Sequence, residues 1–138
     1  MTSIMETAER FFEACETGQG WAECRQYCHP NATFAAQAAA LEGVDTVEGY
    51  AEWMKGLFAP VPDGHAEVQT FALDEARQKV LVYGVFHGTH TGEGGPVPAT
   101  GKSAAADYVY DLAFDGDLIR HLTKIWNDGA TMQQLGWG

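Results

Sequence analysis

The hydropathy pattern changes period once, at "PVPDG" (Pro60 to Gly64), and does not change back. Before it, apolar residues recur three and four apart; after it they come in strand-length runs separated by turn residues. Helices first and strands afterwards imply an α+β fold, with helices lying across one face of a curved, mainly antiparallel sheet. At 138 residues a single domain, 1–138, is expected, large enough for a real core.

From Ser3 to about Glu16, Ile4, Met5, Ala8, Phe11, Phe12 and Cys15 keep helical spacing, with Ser3 as N-cap and Gly18 as the stop. "GWAECRQYCH" reads as a shorter helix ended by Pro30, with Trp21, Cys24 and Cys28 on one stripe. "ATFAAQAAAL" is ambiguous, because alanine favours helix, but Asn31 and Gly43 bound a strand-length segment. In "TVEGYAEWMKGLF" Thr46 can cap a helix whose apolar face holds Val47, Tyr50, Met54, Leu57 and Phe58. Strands are expected in "HAEVQTFALDE", "KVLVYGVFHGTHT", "SAAADYVYDLAF" and "LIRHLTKIWN", the last two joined by a hairpin with Asp115-Gly116 at its tip. "GEGGPVPATG" is a Gly/Pro-rich loop at what would be a pocket mouth.

Lys+Arg number 8 against 19 Asp+Glu, net −11, with no basic run, so a nucleic acid or an anionic membrane surface would be repelled. No stretch approaches the ~18 uninterrupted apolar residues of a membrane span, and the first residues lack the apolar core of a signal peptide. A soluble, cytoplasmic protein is the expectation. Cys15, Cys24 and Cys28 leave one thiol over after any pairing, which fits a reducing compartment. "CRQYCH" invites a metal, but no second Cys/His cluster completes four ligands, so no metal is expected. A phosphate-binding Gly-rich loop and a Gly-x-Ser-x-Gly nucleophile turn are both missing from the sequence.

Three helices followed by a long meander resemble the nuclear-transport-factor-like cone, an α+β barrel with an internal pocket. "HGTHTGEGGPVPATGK" (His87 to Lys102) resembles the Gly-Thr-His-x-Gly loop and Thr-Gly-Lys of SnoaL-like polyketide cyclases, and "QQLGW" (Gln133 to Trp137) is similar to that family's Gln-Leu-Gly ending. The resemblance implies a cofactor-independent enzyme that closes a ring by intramolecular aldol chemistry, with a carboxylate on the last strand as general acid and base. Counted back from the Gln-Leu-Gly, that position holds Asn127, which cannot exchange a proton at neutral pH. Asp128 is adjacent, but one step along a strand reverses the face.

Pairing the strands through their turns sets His87 opposite Asp107 and Asp107 opposite Ile125. Tyr83, Val85, His87, Asp107, Val109, Asp111, His121, Thr123, Ile125 and Asn127 then share one face; Val82, Phe86, Tyr108, Tyr110, Leu112, Phe114, Leu122, Lys124 and Trp126 share the other. A register slip would exchange neighbours. A His87/Asp107 pair is either an oriented acid/base couple or a cross-strand ion pair on a solvated or dimer-forming face. Lys124, amid aromatics, either reaches the rim, pairs with a carboxylate or acts catalytically.

These readings nominate His87, Asp107, Asn127 and Asp128 for proton transfer or carbonyl orientation. Trp53, Phe58, Tyr83, Tyr108, Tyr110, Lys124 and Trp126 are nominated for binding a hydrophobic, carbonyl-bearing small molecule. The terminal "MQQLGW" reads as a lid, and His90 as a turn-stabilising residue. A non-catalytic binder of an apolar metabolite and a dehydratase or isomerase on the same cone are the alternatives. A homodimer formed sheet to sheet would cover the open face.

Overall fold

A computed structural model of the chain describes residues 3–137. Helix α1 (Ile4–Glu16) begins where the Ser3 hydroxyl accepts the Glu6 N–H at 3.1 Å. It ends as the chain turns through Gly18, whose φ of 73° suits glycine and whose missing side chain leaves room for the Phe58 ring. Helix α3 (Val47–Leu57) is capped in the same way, the Thr46 hydroxyl accepting the Gly49 N–H at 3.0 Å.

Between them the sequence reading needs correction. The second helix is a single turn, α2 (Trp21–Cys24), extended by a 3-10 turn at Arg25–Tyr27. Strand β1 (Cys28–Ala36) already starts at Cys28, so Pro30 lies inside a strand and ends no helix. Proline is tolerated there because β1 is an edge strand and its register with β5 shifts between Cys28 and Thr33, which spares a donor at Pro30. "ATFAA" belongs to this strand, while Ala39–Leu41 forms a 3-10 turn.

Strands β2 (His65–Asp74), β3 (Lys79–Thr89), β4 (Ser103–Asp115) and β5 (Leu118–Trp126) form an antiparallel meander, and β1 adds to β5 in parallel, giving the order β1-β5-β4-β3-β2. Register breaks between Val68 and Thr70 and between Ala113 and Phe114 help to curl this sheet. The concave face receives Phe11, Phe12 and Cys15 of α1 and Tyr50, Ala51 and Met54 of α3, against Val80, Val82, Tyr108, Tyr110, Leu112 and Leu122. Each large side chain so buried contributes about 1.5–3 kcal/mol, which is why the helices lie on this face.

The two-face assignment survives, but the register is offset by two residues. His87 lies opposite Ala105, Asp107 opposite Val85, and Val109 opposite Ile125. A slip of two conserves faces and changes partners. The convex face therefore keeps its expected residues without the expected His87/Asp107 contact. His87 Nε2 lies 3.0 Å from Glu67 Oε1 and its ring stacks on His65, while Asp107 accepts the Tyr83 hydroxyl at 2.8 Å.

Candidate active site

Ala8, Phe12 and Glu16 follow one another at four-residue intervals on α1, so Glu16 projects into the core beside the apolar stripe. It is only 3% exposed. Its carboxylate accepts hydrogen bonds from the hydroxyls of Tyr108 and Tyr110, alternate residues on the concave face of β4. Gly84, across from Tyr108, leaves space for that ring, since a Cβ there would sit 3.2 Å from its hydroxyl.

Lys124 projects from β5 into the same interior and is 6% exposed. It makes one hydrogen bond, to the Tyr50 hydroxyl at 2.9 Å, and its Nζ lies 4.4 to 5.6 Å from the ring centres of Trp126, Tyr50, Tyr108 and Trp53. Aromatic faces stabilise a cation, but they replace few of the hydrogen bonds an ammonium makes in water.

Tyr50 and Tyr110 are joined hydroxyl to hydroxyl at 2.7 Å. The proton polarity follows from counting. Tyr110 has one proton and gives it to Glu16, so Tyr50 must donate to Tyr110, and the Tyr50 oxygen accepts from Lys124. The result is a one-way chain, Lys124 to Tyr50 to Tyr110 to Glu16. Burial dominates its titration: it lowers Lys124 to about 8 against the opposing pull of Glu16, then of Cys15. Burial raises Glu16, against Lys124 and the two tyrosine hydrogen bonds. The hydroxyls of Tyr50 and Tyr110 are pushed up as well, chiefly by burial. The amine and the carboxyl are thus moved toward one another, as proton exchange between them requires.

Above this chain lies an apolar cleft that opens to solvent. Glu16, Tyr108 and Lys124 supply the polar part of its wall, and Trp53, Phe86 and Trp126 much of the rest. Helix α4 (Asp128–Leu135) roofs it with Thr131, Met132 and Leu135, followed by Trp137. Gly136 (φ 77°) turns the chain so that the Trp137 N–H reaches the Met132 carbonyl at 2.7 Å. The Trp137 indole then donates to Nδ1 of the fully buried His90 at 2.8 Å, and the Thr100 hydroxyl donates to the Leu135 carbonyl at 2.7 Å. The "GTHTG" histidine therefore clamps the 92–101 loop and the C-terminal segment over the cleft.

The nominated residues divide by position. Trp53, Tyr108, Lys124 and Trp126 line the cleft. Tyr110 lies behind it as a link of the proton chain. Phe58 packs edge-on against Phe86 and does not line it. Asn127 is the N-cap of α4, its side chain accepting the Ala130 N–H at 3.1 Å, and Asp128 accepts the Ala40 N–H at 2.8 Å. Both carry structural hydrogen bonds at the end of β5. Together with Tyr83 and Asp107 they border a second, open groove that shares Tyr108, Lys124 and Trp126 with the apolar cleft, and His87 borders neither.

Sequence reasoning missed Glu16 altogether. The available signal was a carboxylate four residues after Phe12 and eight after Ala8, on the buried stripe of an amphipathic helix. Tyr50, read only as a core residue, is the other missed link. Among the described residues no group of three or more His, Cys, Asp or Glu side chains converges as a metal site, and Cys15, Cys24 and Cys28 are buried free thiols. No described helix is long and apolar enough to cross a membrane.

Helices on the concave face of a curled five-stranded mixed sheet give the α+β fold of the nuclear-transport-factor-like class. Within that class the chain belongs to the SnoaL-like polyketide cyclase family, whose sequence pattern it matches over residues 6–135. No curated protein sequence matches it significantly. Among solved structures it is similar to IdmH from Streptomyces antibioticus, itself proposed to be a polyketide cyclase, with 23% identity, a TM-score of 0.80, and 98% of this chain and 99% of that one covered. A proposed SnoaL-like polyketide cyclase from Jannaschia sp. CCS1 is 18% identical, with a TM-score of 0.79 over 98% of this chain and 92% of the other. AclR from Streptomyces galilaeus, a proposed hydroxylase, is 18% identical with a TM-score of 0.77, covering 98% of this chain and 85% of its own. At these identities the likeness is one of fold, and a fold hosts many chemistries.

Proposed function

We propose that this protein is an acid/base enzyme acting on a hydrophobic, carbonyl-bearing small molecule held in the apolar cleft, in the manner of its family. The observation that carries the reading is the Lys124–Tyr50–Tyr110–Glu16 chain, whose two ends both border the cleft. The Lys124 ammonium donates to a substrate carbonyl oxygen and stabilises the enolate that forms when an α-proton is removed. Glu16 is the group on the cleft wall suited to take that proton. Ring closure by attack of the enolate on a second carbonyl, and isomerisation by returning the proton elsewhere, use the same two groups. The cleft's aromatic walls suit a flat or polycyclic substrate.

A non-catalytic binder remains the competing reading, favoured by Asn127, which stands where the family resemblance expects a carboxylate and is engaged in capping α4. We place the protein's work in the cytoplasm, on a dimer whose subunits meet through the convex sheet faces, where Leu81, Tyr83 and Ile125 are exposed.

The deciding experiment identifies, by mass spectrometry, small molecules released when protein purified from its native host is denatured, and then follows turnover of the compound found. The enzyme reading expects Glu16→Gln and Lys124→Met to lose about 100-fold or more in rate, the scale of general acid–base catalysis, while His87→Ala and Asp107→Ala retain it. Loss with the convex-face variants and retention with the cleft variants would overturn it. Binding without turnover by the native protein would establish the binder.

A further inference from the structure

We propose that Lys124 is also a nucleophile, condensing with an aldehyde or ketone in the cleft to form an imine on its Nζ. The inference rests on the cleft reading above and deepens it, since an imine and the enamine derived from it activate the same α-carbon that an enolate would.

The geometry supports this in three ways. Lys124 alone among the four lysines borders the cleft; Lys79 is held by Asp111 at 2.9 Å, and Lys55 and Lys102 lie elsewhere on the molecule. Its amine has one hydrogen-bond partner, a hydroxyl oxygen, and no carboxylate within ion-pair distance, because Glu16 is engaged by two tyrosines. The cleft wall beside the amine is made of the apolar rings of Trp53, Tyr108 and Trp126, which suit an apolar aldehyde or ketone.

The proton chain also supplies the route by which the ammonium becomes a free amine. Lys124 passes a proton to Tyr50 as Tyr50 passes one to Tyr110 and Tyr110 one to Glu16, leaving a neutral amine and a neutral acid. The nitrogen lone pair then forms the C–N bond as the carbonyl oxygen takes up a proton. The nitrogen loses one proton to give the carbinolamine; a second proton, returned from Glu16, reaches the hydroxyl, the C–O bond breaks with departure of water, and the iminium so formed loses its remaining N–H proton to leave the imine. Amine and carbonyl give imine and water, with no oxidant or reductant.

At pH 7.5 an amine titrating at about 8 is roughly one-quarter free base, against about 0.1% for an ordinary lysine near 10.4. On free-base fraction alone such an amine exceeds an ordinary lysine on the order of 100-fold.

The test uses 2-naphthaldehyde as probe at pH 7.5, equimolar with the intact protein, with sodium cyanoborohydride to reduce any imine to a stable secondary amine. Peptide mapping by mass spectrometry locates the adduct, and tryptophan fluorescence without the reductant reports occupancy, since Trp53, Trp126 and Trp137 line the cleft. The expected result is an adduct on Lys124 at least tenfold in excess of Lys55, Lys79 and Lys102, together with quenching, and quenching without that adduct in Lys124→Arg. Should the variant fail to fold, the distribution among the four lysines of the native protein decides. Quenching with an even distribution, or with no adduct on Lys124, overturns the imine and leaves the cleft reading standing. Neither quenching nor a Lys124 adduct overturns both.

Discussion

Replacing Glu16 by glutamine tests whether the carboxylate and the amine are energetically one unit. Glutamine keeps the shape and one acceptor oxygen, so one tyrosine hydroxyl retains a partner while the negative charge disappears. The loss strands a buried Lys124 ammonium that is 6% exposed and has one hydrogen bond. Breaking a buried pair costs about 3–5 kcal/mol; because the two charges here communicate through tyrosines, the lower end applies. With an unfolding entropy of about 2.1 cal/mol/K per residue, 138 residues give roughly 0.3 kcal/mol/K, and a loss of about 3 kcal/mol lowers the melting temperature by about 10 °C.

The pH dependence supplies an independent check. Lys124 titrates at about 8 when folded and near 10.4 when unfolded. Between those values the unfolded chain binds the additional proton, so this group makes stability rise with pH across the window, by about 3 kcal/mol in all. Without Glu16, the anion that holds Lys124 up, the lower edge of the window moves below 8. The variant should therefore gain more stability than the native protein between pH 7 and 9.5. Thermal unfolding followed by circular dichroism across that range measures both effects. The double variant Glu16→Gln/Lys124→Met should recover most of the loss, because the stranded charge is gone. A Glu16→Gln protein that melts within about 2 °C of the native one, with an unchanged pH profile, would refute the coupling.

Two further outcomes follow from the placement of residues outside the cleft. Asn127→Asp should leave the melting temperature nearly unchanged, since aspartate caps a helix as well as asparagine, whereas Asn127→Ala should cost about 1 kcal/mol in chemical denaturation; ring-closing activity gained only on introducing the aspartate would instead support the binder reading. Ile125, 61% exposed on the convex face near the end of β5, should be covered in a dimer, so Ile125→Glu should convert a dimer to monomer in analytical ultracentrifugation with circular dichroism unchanged, and a native monomer that resists concentration would remove the proposal.

The order of elements was legible because it depends on local chemistry. Ser3 and Thr46 are caps by virtue of their own hydroxyls, and period-two alternation in "KVLVYGVF" and "DYVYDLAF" separates a buried from an exposed face whatever the exact pairing. Even a register wrong by two residues kept every side chain on its proper side, so Lys124, Tyr108, Tyr110 and Trp126 could be grouped correctly. Partners were not legible in this way. Whether His87 meets Asp107 or Glu67 depends on how a ten-residue Gly/Pro loop feeds β4, and that loop is set by hydrogen bonds to Pro60 and Leu135, both distant in the chain.

The amino-acid sequence alone thus determined the fold class, the family and the aromatic character of the interior, all of which rest on periodicity and local motif. Only the tertiary structure decided what the polar groups do. It brought Glu16 of α1 and Tyr50 of α3 against Tyr110 and Lys124 of the sheet, turned Asn127 into a helix cap, and left His87 and Asp107 on the convex face. Burial is the reason: a carboxylate or an amine acquires its reactivity from what surrounds it, and those surroundings are assembled from hydrogen-bonded residues 60 to 94 positions apart in the chain.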